Sequence, residues 1–184
     1  MNDKNGQSDF REFSSEYLNK TGYQKTAFAV GCFWGAQAYF KKVTGVVATR
    51  VGYTGGHLPN PTYEQVCAGD TGHMEAVEIV FDPKLTSFSH LLEHFWQVHN
   101  PVSRDKQGAD SGSQYGAAVF YSSDSQKKIA EDSKKALEQS GKYANPIATR
   151  ILPRKEFYPA EEYHQDYLDK NPGGYCHIDL GGAK

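Results

Sequence analysis

Residues 24–56 read QKTAFAVGCFWGAQAYFKKVTGVVATRVGYTGG, and this stretch decides the fold. QKTAFAVG is apolar and compact, as a buried strand is. From Phe33 to Val43 the spacing changes. Phe33, Ala36, Phe40 and Val43 recur at helical intervals and draw one apolar stripe. GVVATRVGYTGG then reads as a second strand ending in a glycine turn. A strand, a helix and a strand within so short a span make a βαβ unit, and Cys32 stands at its first corner.

Working outward, the Thr54–Gly72 stretch, with Pro59 and Pro61, reads as a long connection, and connections of that length are commonly functional. MEAVEIVFD (74–82) reads as a third strand, apolar on both faces and stopped at Asp82-Pro83. Thr86 or Ser87 can cap the next helix, whose apolar positions 88, 91, 92, 95 and 96 share one face. NPVSRDKQGADSG (100–112) is a second long loop, QYGAAVFYS a fourth strand, and Asp124–Ser140 a largely exposed helix with Ile129, Ala130, Ala136 and Leu137 inward. PIATRILP reads as a fifth strand, Ala160–Lys170 as a short helix, and the glycine-rich end as irregular. The order β-α-β-β-α-β followed by α-β-α predicts an α+β protein: a mixed β-sheet with a ferredoxin-like split βαβ core, packed helices and a long irregular C-terminal segment. Residues 1–22 are polar and lack a sustained period, which predicts a loosely docked N-terminal extension before a domain at 23–184.

Bulk properties narrow the function. The chain has 184 residues, enough for one domain with a real core, and a formal net charge of −2, which gives no electrostatic reason to expect nucleic acid or an anionic membrane. No apolar run approaches the roughly 20 residues of a membrane span, and the N-terminus has no apolar signal core, so a cytoplasmic protein is expected. Three widely spread cysteines (Cys32, Cys67 and Cys176) without a C-x-x-C pair suit neither a disulfide scaffold nor a structural zinc site.

Several residues could carry chemistry. Cys32 follows a strand and a glycine and opens a helix, where unpaired N–H groups and the dipole favour a thiolate. The alternative is a small buried hydrophobe. Phe33 and Trp34 point about 100° apart on a helix, so one can pack inward while the other lines the mouth of a cleft. Glu75 shares a strand face with Val77, Ile79 and Phe81. If desolvated there it becomes a general acid near neutrality; if the strand end is wet it is an ordinary carboxylate. Glu78 lies on the same doubly apolar strand. Tyr63 and Tyr115 bracket the long loops and could hold a substrate oxygen as neutral donors. Asp110, before SGSQY, reads on its own as a turn residue. His90 and His94, four apart, could share a metal but lack a third ligand and read as solvated surface residues. His164 could be a base for Cys32 or a polar helix residue. Cys176, flanked by glycines, suits a resolving thiol or an idle tail cysteine. Cys67 reads as structural.

Taken together, these segments resemble the peptide methionine sulfoxide reductase A family. GCFWG is similar to that family's signature around its nucleophile. PTYEQVCAGDTGHMEAVEIVFDP, GADSGSQY, FYPAEEYHQDYL and NPGGYC resemble its other blocks, in order, across roughly residues 24–178. The resemblance implies that residues 23–184 form the catalytic domain of a reductase of methionine-S-sulfoxide, free or in proteins. Cys32 would attack the sulfoxide sulfur, with Phe33 and Trp34 holding the ε-methyl group. Glu75 would protonate the oxygen, Tyr63 and Tyr115 would hydrogen-bond it, and Asp110 would support them. A Cys32 sulfenic acid would condense with Cys176, and thioredoxin would reduce the disulfide. No metal or bound cofactor is implied, and a monomer is expected. Where the family has Arg-Ser after the QY block, this chain has Gly116 and Ala117, so that arginine's charge is missing. A further C-terminal cysteine, present in some members, is absent, which implies direct reduction of a Cys32–Cys176 bond. Two other readings stay open: a Cys–His hydrolase using Cys32 and His164, and a non-catalytic module binding peptides through Phe33 and Trp34.

Overall fold

A computed structural model describes residues 10–184. Its elements in chain order are α1 (Ser15–Thr21), β1 (Gln24–Val30), α2 (Phe33–Phe40), β2 (Val46–Thr54), α3 (Tyr63–Ala68), β3 (Met74–Phe81), α4 (Phe88–Gln97), β4 (Lys106–Gln107), β5 (Asp110–Ser111), β6 (Ala117–Tyr121), α5 (Asp124–Gln139), β7 (Arg150–Pro153), β8 (Tyr158–Pro159) and α6 (Tyr167–Lys170).

The main sheet runs β7-β6-β1-β3-β2-β8. β3 inserts antiparallel between β1 and β2, so the βαβ unit is split as its pattern predicts. β6 pairs antiparallel with β1, and β7 pairs parallel with β6, which makes the sheet mixed. β3 is buried along its whole length, which is why both of its faces are apolar in sequence. One face, with Phe28, Val77, Ile79 and Phe81, packs under Phe40 of α2 and Leu91, Leu92 and Phe95 of α4. The other carries a smaller cluster of Ala27, Ala29, Met74, Ala76 and Phe120. Ser87 accepts a hydrogen bond from the His90 N–H and starts α4 where a cap was expected.

Four local readings change. The Thr54–Gly72 connection contains α3, set by a reciprocal capping box of Thr62 and Gln65. The fifth strand is confined to β7, because the Ala148 and Thr149 N–H groups turn to the Pro101 carbonyl. The single helix expected over 160–170 is instead a turn followed by the one-turn α6. Asp166 adopts a left-handed φ of 52°, and the Gln165 amide is spent on the edge of β2, bonding both Val51 N–H and Val51 C=O. On α5 Ala130 is buried but Ala136 is exposed. Of the N-terminal extension, residues 1–9 lie outside the described residues. Residues 14–22 form a capped helix, and Phe13 is buried.

Glu78, on the face of β3 opposite Glu75, is fully buried between Arg50 (2.6 Å), Lys25 (3.4 Å) and Arg154. The Phe13 ring covers the Arg50 guanidinium at 4.4 Å. This cluster is an anchor for the N-terminal segment, remote in orientation from the thiols. Glu78→Ala should cost about 3–5 kcal/mol, since it leaves three cations without their shared anion. Urea denaturation checks this, and a loss below about 1 kcal/mol would mean the cations find water instead.

Candidate active site

The corner after β1 is tight. Gly31 has φ 96°, and a Cβ there would fall 2.6 Å from Gln107 Cβ, so only glycine fits both the turn and the space. The turn delivers Cys32 to the N-cap of α2, 6 % exposed. The Trp34 and Gly35 N–H groups point at its sulfur and favour the thiolate, as the helix start predicts. Burial and the neighbouring Glu75 and Asp110 outweigh them, and the thiol titrates above its ordinary value. The expected low-pKa cysteine is therefore not what the resting site holds: sequence locates the helix start but does not reveal how deeply it is covered.

Glu75 sits opposite Tyr53 in the β2–β3 ladder and is 2 % exposed. The Phe33 N–H donates to its carboxyl, while Oε2 is buried without a partner among the described residues. Burial, then Asp110, pushes its pKa up to about 8. This is the desolvated alternative of the two readings: a neutral acid at neutral pH. Asp110, on β5, also buries one carboxyl oxygen without a partner among the described residues. Tyr115 lies within electrostatic reach of Glu75, Asp110 and Cys32, and its phenol is held neutral mainly by burial. Tyr63 opens α3, and its O–H donates to the Cys67 sulfur. Cys67 is exposed rather than a core cysteine, so the structural reading of that residue is replaced by contact with the site.

The two adjacent aromatics divide as helical geometry requires. Phe33 is buried against Tyr53 (5.8 Å between centroids) and His164 (5.1 Å). Trp34 is half-buried, stacked on Tyr167 at 3.7 Å, and donates its indole N–H to His164 Nδ1 at 2.9 Å. That bond assigns the tautomer. With Nδ1 accepting, neutral His164 carries its proton on Nε2, which is buried and has no partner among the described residues. His164 thus has no lone pair free to take a proton from Cys32, and burial lowers its pKa further. The Cys–His hydrolase reading loses its base.

Cys176 lies on the C-terminal segment, half-buried, against the first turn of α2. A Cβ on Gly35 would stand 2.9 Å from its Sγ, so that glycine makes room for the sulfur. Cys32 and Cys176 are both free thiols. The structure thus brings together Cys32, Phe33, Trp34, Glu75, Tyr63, Tyr115, Asp110 and Cys176. It leaves out the histidine pair on α4. His94 is not the solvated residue its spacing suggested: it is buried, with Nδ1 2.6 Å from the Tyr39 hydroxyl and Nε2 3.3 Å from His90 Nε2. Among the described residues no group of three His, Cys, Asp or Glu could hold a metal.

Two participants escaped the sequence reading. Glu161 accepts from the Tyr53 hydroxyl (2.9 Å) and the Tyr63 N–H (3.1 Å), tying β2 to the start of α3. Arg150 of β7 places Nη2 3.3 Å from where a Gly116 Cβ would be and donates to Met74 Sδ. A guanidinium therefore does stand beside the turn that lacks the expected arginine. An acid inside the aromatic block 157–168 was a signal for the first; nothing local announced the second.

Residues 24–184 match the peptide methionine sulfoxide reductase family. The chain is 53 % identical over 156 residues to peptide methionine sulfoxide reductase MsrA of Methanothermobacter thermautotrophicus, covering 85 % of this chain and 92 % of that one. Its fold is similar to reduced Mxr1 of Saccharomyces cerevisiae, with a TM-score of 0.79 and 37 % identity over 84 % of this chain and 89 % of that one. It is also similar to Mxr1 in complex with Trx2, with a TM-score of 0.57, 25 % identity, and 85 % and 87 % of the two chains covered. With its thiols, buried acid and aromatic wall converging on the strand-to-helix corner, this chain belongs to the peptide methionine sulfoxide reductase family and is an oxidoreductase.

Proposed function

We propose that this protein reduces methionine-S-sulfoxide, free or within oxidised proteins, and that thioredoxin returns it to the dithiol state. The observation that carries the reading is Glu75: a carboxyl 2 % exposed, with one oxygen that has no partner among the described residues, its pKa pushed up by burial, within electrostatic reach of a buried cysteine. A sulfoxide oxygen leaves poorly unless protonated, and a neutral acid in a dry site supplies that proton. The family match and the likeness to Mxr1 bound to Trx2 support the choice of substrate and reductant.

In this reading the oxygen meets Glu75, Tyr115 and Tyr63, the last turning its O–H away from Cys67. The methyl group rests on Phe33 and Trp34. The sulfoxide sulfur, positive end of the S–O dipole, then faces Cys32 Sγ. That positive end favours the thiolate, at about 1.4 kcal/mol per pKa unit, and offsets the burial that keeps the thiol protonated at rest. Below pH 8 the neutral Glu75 adds no repulsion. Cys32 attacks the sulfur and an S–S bond forms, while Glu75 delivers a proton to the oxygen and takes the thiol proton in its place. The hydroxyl then passes to the Cys32 sulfur: the substrate S–O bond and the S–S bond break, methionine leaves reduced by two electrons, and Cys32 is left as a sulfenic acid. Cys176 attacks that sulfur: an S–S bond forms, the S–O bond breaks, and water departs. A thioredoxin dithiol reduces the disulfide by exchange.

The test is a thiol count in the absence of reductant. Adding methionine sulfoxide should remove two thiols, mapped by mass to Cys32 and Cys176, with one methionine released per chain. Cys32→Ser should release none. Turnover by Cys32→Ser, or binding without turnover by the unmodified protein, would refute the reading; the latter would favour the peptide-binding module.

A further inference from the structure

We propose that His177 is the positioning residue of the recycling step, clamping the segment that carries Cys176 onto the corner that carries Cys32. This rests on the reading of Cys176 as the resolving thiol.

The segment 171–184 is glycine-rich, yet Cys176 is tied on both sides. On one side Tyr175 reaches the active-site hairpin: its oxygen accepts from the Ala109 N–H at 3.2 Å, and its O–H donates to Asp110. On the other side His177 Nε2 is 2.9 Å from the Val30 carbonyl, two residues before Cys32. A carbonyl only accepts, so Nε2 carries the proton, and Nδ1 is left buried with no partner among the described residues. The imidazole enters a notch shaped by two glycines. A Cβ on Gly31 would lie 3.2 Å from His177 Nε2, and one on Gly108 would lie 2.9 Å from His177 Cβ. Ile178, buried with the main core, closes the far side.

The consequence is positional. Val30 is the end of a central strand and does not move with the tail. Anchoring residue 177 to it confines Cys176 beside Gly35, within one helical turn of Cys32 along α2. When Cys32 is oxidised, the attacking sulfur is already near, and little chain entropy remains to be lost in forming the S–S bond. The step itself is unchanged: Cys176 sulfur bonds to Cys32 sulfur, the sulfenic S–O bond breaks, and the thiol proton leaves with that oxygen as water. No role in sulfoxide attack is assigned to His177, which faces the Val30 carbonyl.

The experiment separates the two half-reactions in rapid-mixing assays with the full chain and methionine sulfoxide. His177→Ala should release the first methionine at the unmodified rate, slow Cys32–Cys176 disulfide formation by about tenfold or more, and accumulate a Cys32 sulfenic acid that dimedone traps. His177→Gln, whose amide can still donate to the Val30 carbonyl, should restore most of the disulfide rate. A general loss of folding would slow both phases together and overturn the proposal. So would disulfide formation at the unmodified rate in His177→Ala, or a Gln variant as slow as the Ala variant. If the unmodified protein itself forms no Cys32–Cys176 disulfide, the resolving role of Cys176 falls, and the clamp with it.

Discussion

Glu75→Gln should make the protein more stable at neutral pH while weakening its activity. In the folded state Glu75 titrates near 8, against 4.5 for an ordinary glutamate. The folded protein therefore binds a proton there that the unfolded chain releases, and stability falls as pH rises from about 4.5 to about 8, then levels off. At pH 7 the gap from 4.5 is about 2.5 units, so holding the carboxyl neutral costs up to about 3 kcal/mol. Glutamine is neutral in both states and has no such cost. The gain should be largest at pH 8 and vanish near pH 4, as denaturant midpoints across that range will show. Activity moves the other way. Single-turnover methionine release by the unmodified protein should decline as pH rises through about 8, because the neutral acid disappears. Glu75→Ala should lose about 10²–10⁴-fold, the usual worth of a positioned acid. Glu75→Gln should lose far less, since its amide still hydrogen-bonds the oxygen, and it should lack the alkaline decline. Equal rates in the Ala, Gln and unmodified proteins, or an unshifted stability curve, would remove Glu75 from its assigned role.

Cys176→Ser should convert the enzyme into a reagent. It is expected to release one methionine per chain and then stop, even with thioredoxin present, because no disulfide forms for exchange. Geometry gives the reason: Cys176 Sγ rests against Gly35, on the helix that Cys32 opens, while Cys67 is engaged with the Tyr63 hydroxyl on a different element. In the resting state the Cys176 S–H donates to the Ile178 carbonyl at 3.3 Å. Continued turnover of Cys176→Ser at the unmodified rate with thioredoxin would mean that the sulfenic acid is reduced without it.

Much of this arrangement is legible in one dimension, where a residue's fate depends on its neighbours in the chain. Phe33 and Trp34 had to diverge because a helix turns about 100° per residue. Ser87 and the Thr62–Gln65 pair mark helix starts through contacts three residues apart, although the prolines before the second pair make its surroundings read as a loop. Desolvation is not local in this sense. Glu75 and Glu78 look alike in MEAVEIVFD, three residues apart. One is a neutral acid facing the thiol, and the other an anion among three cations, because Arg50, Lys25 and Arg154 arrive only on the second face. The same holds for His94 and His164: their sequence neighbours suit a solvated or a catalytic histidine, and only the fold sets Tyr39 and Trp34 against them.

The sequence by itself determined the split βαβ order, the glycine-set corner holding Cys32, and the blocks that mark the family, since periodicity, turn chemistry and motif spacing are properties of the chain. Only the tertiary structure decided the charge states. It buries Cys32 and Glu75 so that each favours its protonated form, sets the His164 proton on Nε2, and puts His177, next to Cys176, against the Val30 carbonyl. A proton's preference depends on the burial and fields created by residues far apart in sequence, and those exist only once the sheet has brought them together.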